Sequence, residues 1–437
     1  MNQDISVKDL VKEDAVHRRV YVDPAIFQME MDRIFSKAWI YIGHESEIVE
    51  AGCFVRARIG NRDILLVRDA EEHIRAFLNR CPHRGSQICR SQNGQVKFFR
   101  CPYHDWSFRT DGNLLNIPHV DGYGPDFDSS DPAHALVALP RLESYRGFIF
   151  ASLASDGPDL ADYLGPMTLP FDNMTDRAPL GEIELQKNRF RQTFKGNWKF
   201  HMENATDLIH PVRVHESAIE AARTLTGSAQ INDSDPEPIQ MMKSNGIAFD
   251  NWDAVGVYAY DRGHGYMGSF YSEGSIASSR SDPVFMTYKA MLVDRLGSER
   301  AEEVLGISRF NNLIYPNLSL NANFQQIRVI HPVAVDRTVV ESGCFRLKGA
   351  PEALFQTAIR FLSTANSPAS LISSDDLEIF ERCQIGIMND GTDWLDLSRG
   401  RGQEDSGEDN SMLAKGTSEL TMRNQLKAWL SYMQDSN

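Results

Sequence analysis

The chain has 437 residues, 42% of them hydrophobic, which suits one small and one large globular domain. A net charge of −15 argues against non-specific binding to nucleic acid or anionic lipid, and no apolar run approaches the ~18 residues of a membrane span. The N-terminal residues lack an apolar signal core, and six cysteines without a paired framework fit a reducing cytoplasm.

The first clear element is a helix opened by Asp23-Pro24, an N-cap followed by a residue suited to the first helical position. Phe27, Met31, Ile34 and Phe35 recur on one of its faces. Residues 44–155 then read as a β-rich module. Its predicted strands cover 55–58 and 64–67 across a Gly60-Asn61 turn, then 74–78, 95–99 and 147–151. Two of these segments lead into short hooks, Cys81-Pro-His83 and Cys101-Pro-Tyr-His104, with seventeen residues between His83 and Cys101. A structural zinc site would use the same atom types, but it usually pairs Cys with Cys and His with His. One Cys and one His from each hook instead suit a Rieske [2Fe–2S] cluster, with two Cys on one iron and two His on the other. Cys89 and Cys383 read as core thiols.

The turn at 155–158 marks a boundary, giving a cluster domain at 44–155 and a second domain from 1–43 and 156–437. Within the latter, Trp198, His201, Ala205 and Leu208 share one helical stripe, and Asn204, Asp207 and His210 share another. Pro211 should end or kink that helix near His210, so that His215 arrives from the following turn. Residues 266–282 read as a long Gly/Ser-rich loop. Strands are expected at 317–325, 327–333 and 339–347, then a helix at 353–362, a surface loop at 400–410 and a closing amphipathic helix at 417–433.

A helix after Pro368, within 367–384, carries Leu371, Ile372, Ile379, Phe380 and Cys383 on its apolar face, with Asp375 and Asp376 in the middle of it. A carboxylate among such neighbours costs several kcal/mol unless paired or bound to metal. His210, His215 and one of the two aspartates would form the two-His, one-carboxylate set of non-haem Fe(II) oxygenases, which leaves positions open for O2. Two hydrogen-bonded core imidazoles are the alternative reading of the histidine pair.

Taken in order, Cys-Pro-His-Arg-Gly at 81–85, Cys-Pro-Tyr-His-x-Trp at 101–106, Gly-Asn-Trp-Lys at 196–199 and the N-x2-D-x2-H-x4-H run from Asn204 to His215 resemble Rieske non-haem iron aromatic ring-hydroxylating oxygenases, specifically their α subunit. The resemblance spans nearly the whole chain. It implies an α+β fold: a Rieske β-domain inserted in a larger catalytic domain whose antiparallel sheet is covered by helices. It implies Cys81, His83, Cys101 and His104 as cluster ligands, His210, His215 and Asp376 in preference to Asp375 as ligands of a mononuclear Fe(II), and Asn204 close to that iron. Asp207 would join His210 to the Rieske His104 of a neighbouring subunit in a head-to-tail homotrimer, alone or as α3β3 with a small β subunit. Electrons from NADH would arrive through a separate reductase, with or without a ferredoxin, since this chain carries no Gly-rich dinucleotide fingerprint.

The implied reaction is cis-dihydroxylation or hydroxylation of an aromatic compound, with aromatic acids favoured. The rivals are a Rieske monooxygenase or demethylase, an electron-transfer protein with an inactive catalytic domain, and a zinc-stabilised binding protein. Met202, Leu208, Val212, Ile314, Asn323 and Phe324 are pocket candidates by neighbourhood. Two positions depart from the family pattern: Asp105 stands where Gly is usual, and Ile209 where Tyr is frequent.

Overall fold

The computed structural model describes residues 6–232, 235–268, 282–389, 391–407 and 409–434. They form two compact units, one from Phe35 to Asp162 and the other from the residues up to Ile34 together with Tyr163 onward. No described helix is long and apolar enough to cross a membrane.

The smaller unit is β-rich. Strands Ile74–Leu78, Arg62–Arg68, Cys53–Ile59 and Asn93–Gln95 form one antiparallel sheet in that order. Gly60 makes the two-residue turn possible with a φ of 56°. Alternation sends Phe54, Leu65, Val67 and Phe77 into a core shared with Trp106 and Phe108. The strand expected at 95–99 is broken in two. Gln95 still pairs with Cys53, whereas Phe99 pairs with Phe108 in a second sheet, so the chain changes sheets between them. A third sheet pairs Ile40–His44 with Phe148–Ser152, and the unit as a whole runs from Phe35 to Asp162, where 44–155 is expected.

Among the described residues, the larger unit is built on a ten-stranded antiparallel sheet. Its central part runs Arg337–Leu347, Gln326–Ala334, Leu318–Asn321, Phe310–Ile314, Gly265–Gly268. The strand expected over 317–325 stops at Asn321, and residues 322–325 turn the chain back, with Gln325 at a φ of 55°. Of the loop expected at 266–282, the first residues complete strand Gly265–Gly268 and Asp282 caps the helix Pro283–Leu296; 269–281 lie outside the described residues. The 400–410 loop contributes a short strand, Asp405–Ser406.

Helix Pro24–Arg33 starts as expected, the Asp23 carboxylate accepting the Ala25 N–H. Its inner face holds a surprise in Glu30, which is fully buried. The Glu30 carboxylate accepts from Lys199 Nζ (2.5 Å), Trp198 Nε1 (2.8 Å) and Trp429 Nε1 (2.6 Å). Three donors and one opposite charge are what a buried carboxylate requires.

Two helices differ from expectation. Trp198–Asn204 ends six residues before His210, and Pro211 opens a new short helix, Pro211–Val214. The cause is Asp207, whose carboxylate accepts the N–H groups of Ile209 (2.7 Å) and His210 (3.4 Å) and so holds a turn that competes with helix. Helix Ser373–Met388 begins later than Pro368, after Ser370 Oγ has accepted the Ser373 N–H. It buries Ser373, Phe380 and Gln384, while Leu371 and Cys383 are exposed, so Cys383 is not a core thiol. Gln384 sets this face by accepting the Asn197 N–H (2.9 Å) and donating to the Tyr21 carbonyl (3.2 Å). Polar pairing of this kind is invisible to apolar periodicity.

Candidate metal centres

The two hooks of the smaller unit have the same backbone plan. Cys81 N–H donates to the Ser86 carbonyl and Gly85 N–H to the Cys81 carbonyl; Cys101 N–H donates to Trp106 and Asp105 N–H to Cys101. Each hook thus folds over its cysteine, and both sulfurs are buried. The rings of His83 and His104 meet edge to face at 4.7 Å, and Trp106 stacks on His83 at 4.9 Å. Burial pushes the Cys81 thiol up, and the neighbouring Cys101 thiol adds to that effect. His83 Nδ1 is buried without a hydrogen-bond partner. Adjacent buried thiols and an unbonded imidazole nitrogen fit a metal cluster, which takes the thiols as thiolates. Cys89 packs partly buried against the same core, its thiol directed at the Ser91 carbonyl (3.8 Å).

In the larger unit, His210, His215 and Asp376 each offer a ligand atom within 4.8 Å of the others. His210 precedes Pro211, His215 leads into helix Glu216–Thr226, and Asp376 sits in the first turn of Ser373–Met388. Asp376 Oδ1 lies 3.5 Å from the Nε2 atoms of both histidines. The opposite ring nitrogens face other carboxylates: His210 Nδ1 is 3.7 Å from Asp207 Oδ2, and His215 Nδ1 is 3.7 Å from Asp375 Oδ2. The neighbouring aspartates therefore stand in different places, Asp376 between the imidazoles and Asp375 behind one of them. Asn204 Nδ2 points into the same space, 3.0 Å from His210 Nε2 and 3.2 Å from Asp376 Oδ1.

Burial works to lower the pKa of His210, but the nearby carboxylates of Asp207 and Asp376 outweigh it and raise the value to about 9. For His215 burial prevails and the shift is downward. Burial works to raise Asp376, yet the two histidines and Asn204 hold it below the usual carboxylate range. Two imidazoles and an ionised carboxylate converging on one point suit a divalent cation that takes the place of the shared proton.

Of the pocket candidates, Met202 and Ile314 are buried, and Leu208 and Val212 pack with Trp252, Val255 and Val257 in a local core. Asn323 and Phe324 occupy the 322–325 turn; Asn323 Oδ1 is buried without a partner, and Phe324 stacks on Phe361 at 3.9 Å. Two polar residues within electrostatic range of Asp376, His201 and Arg328, carry no signal in the sequence: His201 falls on an apolar helical stripe and Arg328 within a strand.

Mixed Cys/His hooks on a β-module and a two-histidine, one-carboxylate cluster beside a helix-covered antiparallel sheet define the class of Rieske non-haem iron oxygenases. Comparison with known proteins narrows the class. Residues 38–142 match the Rieske [2Fe-2S] domain, and residues 178–434 match the catalytic domain of the ring-hydroxylating alpha subunit. The chain is 32% identical to the anthranilate 1,2-dioxygenase large subunit of Acinetobacter baylyi, over 88% of this chain and 80% of that protein. It is 31% identical to the toluate 1,2-dioxygenase subunit alpha of Pseudomonas putida, over 90% and 84%. Naphthalene 1,2-dioxygenase with indole bound superimposes with a TM-score of 0.83 at 25% identity, covering 100% of this chain and 96% of that one. The chain belongs to the ring-hydroxylating oxygenase α-subunit family. It is therefore an oxygenase of the Rieske and mononuclear-iron type, which receives its electrons from a partner.

Proposed function

We propose that this subunit cis-dihydroxylates an aromatic carboxylic acid with O2, using electrons from NADH passed on by a separate reductase, directly or through a ferredoxin. The observation that carries this reading is the His210–His215–Asp376 cluster in a chain whose relatives along most of its length act on anthranilate, toluate and 2-halobenzoate. Cys81, His83, Cys101 and His104 would hold the cluster, and His210, His215 and Asp376 the iron. When bound, these groups supply one-electron transfer and O2 activation.

The chain's own residues do the rest. The Asp207 carboxylate accepts the Ile209 and His210 N–H groups, which places His210, and lies behind its Nδ1, where it can hold the ring proton. In a head-to-tail trimer the same carboxylate would reach His104 of the partner subunit, joining the two centres; a small β subunit would make the assembly α3β3. Asn204 offers an amide N–H at the edge of the open coordination space.

The test is O2 uptake and product analysis with ¹⁸O2, using a compatible reductase and a panel of benzoates, anthranilate, toluene and naphthalene. A doubly labelled cis-dihydrodiol from an acid is expected; turnover of hydrocarbons alone would overturn the substrate class. A second reading, insertion of a single oxygen, is favoured by one relative. The N,N-dimethyl phenylurea N-demethylase subunit alpha of a Sphingobium species is 36% identical over 46% of this chain and 44% of that protein. Singly labelled product would establish it.

A further inference from the structure

Arg328 lies on strand Gln326–Ala334, directly opposite Ser319 on one neighbouring strand and Ser342 on the other. Helix Trp198–Asn204 packs on this strand. The guanidinium is tied to the neighbourhood of the metal site through Asn311. Arg328 Nη2 donates to Asn311 Oδ1 (2.6 Å), and Asn311 Nδ2 donates to the Ala205 carbonyl (2.9 Å), one residue after Asn204. A longer contact runs from Nη2 to Ser319 Oγ (3.4 Å). That uses both Nη2 hydrogens. The Nε hydrogen and the two on Nη1 make no hydrogen bond among the described residues, and no carboxylate lies within ion-pair distance.

This cation is enclosed, yet part of its surface stays accessible. Its enclosure lowers its pKa, and Asp376 is the one charged group that counters the effect. Asp376 already faces two imidazoles and the metal space between them. His201, within electrostatic range of both Arg328 and Asp376, is only 9% exposed, and neither ring nitrogen has a hydrogen-bond partner among the described residues. A half-buried guanidinium with three unused donors reaching accessible space, and no committed counter-charge, is placed to take up an anion.

We infer that Arg328, with His201 beside it, anchors the carboxylate of the aromatic acid substrate and thereby selects acids over neutral rings. This inference rests on the aromatic-acid reading above and assigns the residue that would enforce it. An anion here would engage the free guanidinium N–H groups and an imidazole N–H, leaving the ring to lie toward the metal space. A neutral hydrocarbon would leave those donors unpaired, which is how a polar site rejects an apolar analogue.

The experiment measures equilibrium binding of benzoate and of toluene, its neutral analogue, to the metal-loaded holoenzyme by calorimetry. Cluster absorbance and iron content are checked for each variant. Wild type should prefer benzoate. Arg328→Gln should weaken benzoate by about 10- to 100-fold, the size of a lost charged hydrogen bond, and leave toluene nearly unchanged. Arg328→Lys keeps the charge but not the donor geometry, so it should lie between the two and serves if the glutamine variant does not load metal. Benzoate bound by either variant as tightly as by wild type, or an equal loss for both ligands, would overturn the anchor alone. Wild type that binds toluene but no aromatic acid would overturn the aromatic-acid reading and the anchor with it.

Discussion

Gly85 and Asp105 occupy equivalent positions in the two metal-binding hooks: each lies four residues after its cysteine, donates its N–H to that cysteine's carbonyl, and has positive φ, 74° and 66°. The left-handed conformation is free of strain for glycine and accessible to aspartate, but costly for most side chains. Asp105 is further held by a two-pronged ion pair with Arg100, which keeps its carboxyl below the usual range.

Asp105→Gly should therefore keep the fold and the cluster, whereas Asp105→Val should destabilise the hook by about 1–2 kcal/mol and shed the cluster at lower denaturant. Because Arg100 offsets a negative charge beside His104, Arg100→Gln should lower the cluster's reduction potential and Asp105→Gly should raise it. Redox titration of the visible bands checks both directions.

At the other centre, Asp207→Ala removes the acceptor for two backbone N–H groups and the carboxylate behind His210. Turnover should fall on the order of 100-fold while cluster colour and iron content persist. Asp207→Asn keeps an acceptor for the turn but not the charge, so it should fold like wild type and still turn over slowly. Single-turnover rates alongside metal analysis would test this; full activity in either variant contradicts the role given to the carboxylate.

The separation of Asp375 from Asp376 makes opposite predictions for adjacent residues. Asp376→Ala should empty the mononuclear site, dropping iron from about three per chain to about two with acid-labile sulfide unchanged. Asp375→Ala should keep all of it but release the mononuclear iron to a chelator about 10- to 100-fold more readily, since only the support behind His215 is lost.

His264 gives a pH signature. It is 2% exposed, its Nδ1 accepts the Tyr315 N–H (3.0 Å), and its Nε2 lies 3.0 Å from the Tyr163 carbonyl, to which it donates. Burial lowers its pKa to about 4. Below pH 6.5 the unfolded chain takes up a proton that the folded chain refuses. Its contribution is therefore complete above pH 6.5 and is lost as pH falls toward 4, at about 1.4 kcal/mol per pH unit. Denaturant midpoints between pH 7 and 4.5 should drop more steeply for wild type than for His264→Gln.

Glu30→Ala should cost about 3–5 kcal/mol, because it leaves Lys199 buried without its counter-charge and two indole N–H groups unpaired. Glu30→Gln should cost less, since its amide oxygen can still accept from Lys199 and Trp429, which share one Glu30 oxygen, and only the Trp198 N–H loses its acceptor. Denaturant unfolding of the two variants ranks them.

The sequence by itself determined the chemistry that depends on short spacings. Hooks of three or four residues confine a cysteine and a histidine to one loop, and Asn204 to His215 is a run short enough that Asp207 and Pro211 dictate where both imidazoles point. Neighbours along the chain have few ways to be arranged, so composition and spacing suffice. Local reading failed wherever the decisive partner was remote in sequence. Gln384 meets Asn197, Glu30 meets Trp429, and Arg328 meets Asn311 and, through it, Ala205. Those contacts chose the buried face of Ser373–Met388, put a carboxylate in the core and tied a guanidinium to the carbonyl one residue after Asn204. A polar side chain becomes affordable in the interior only when another element brings its partner, and that pairing exists only once the chain has folded.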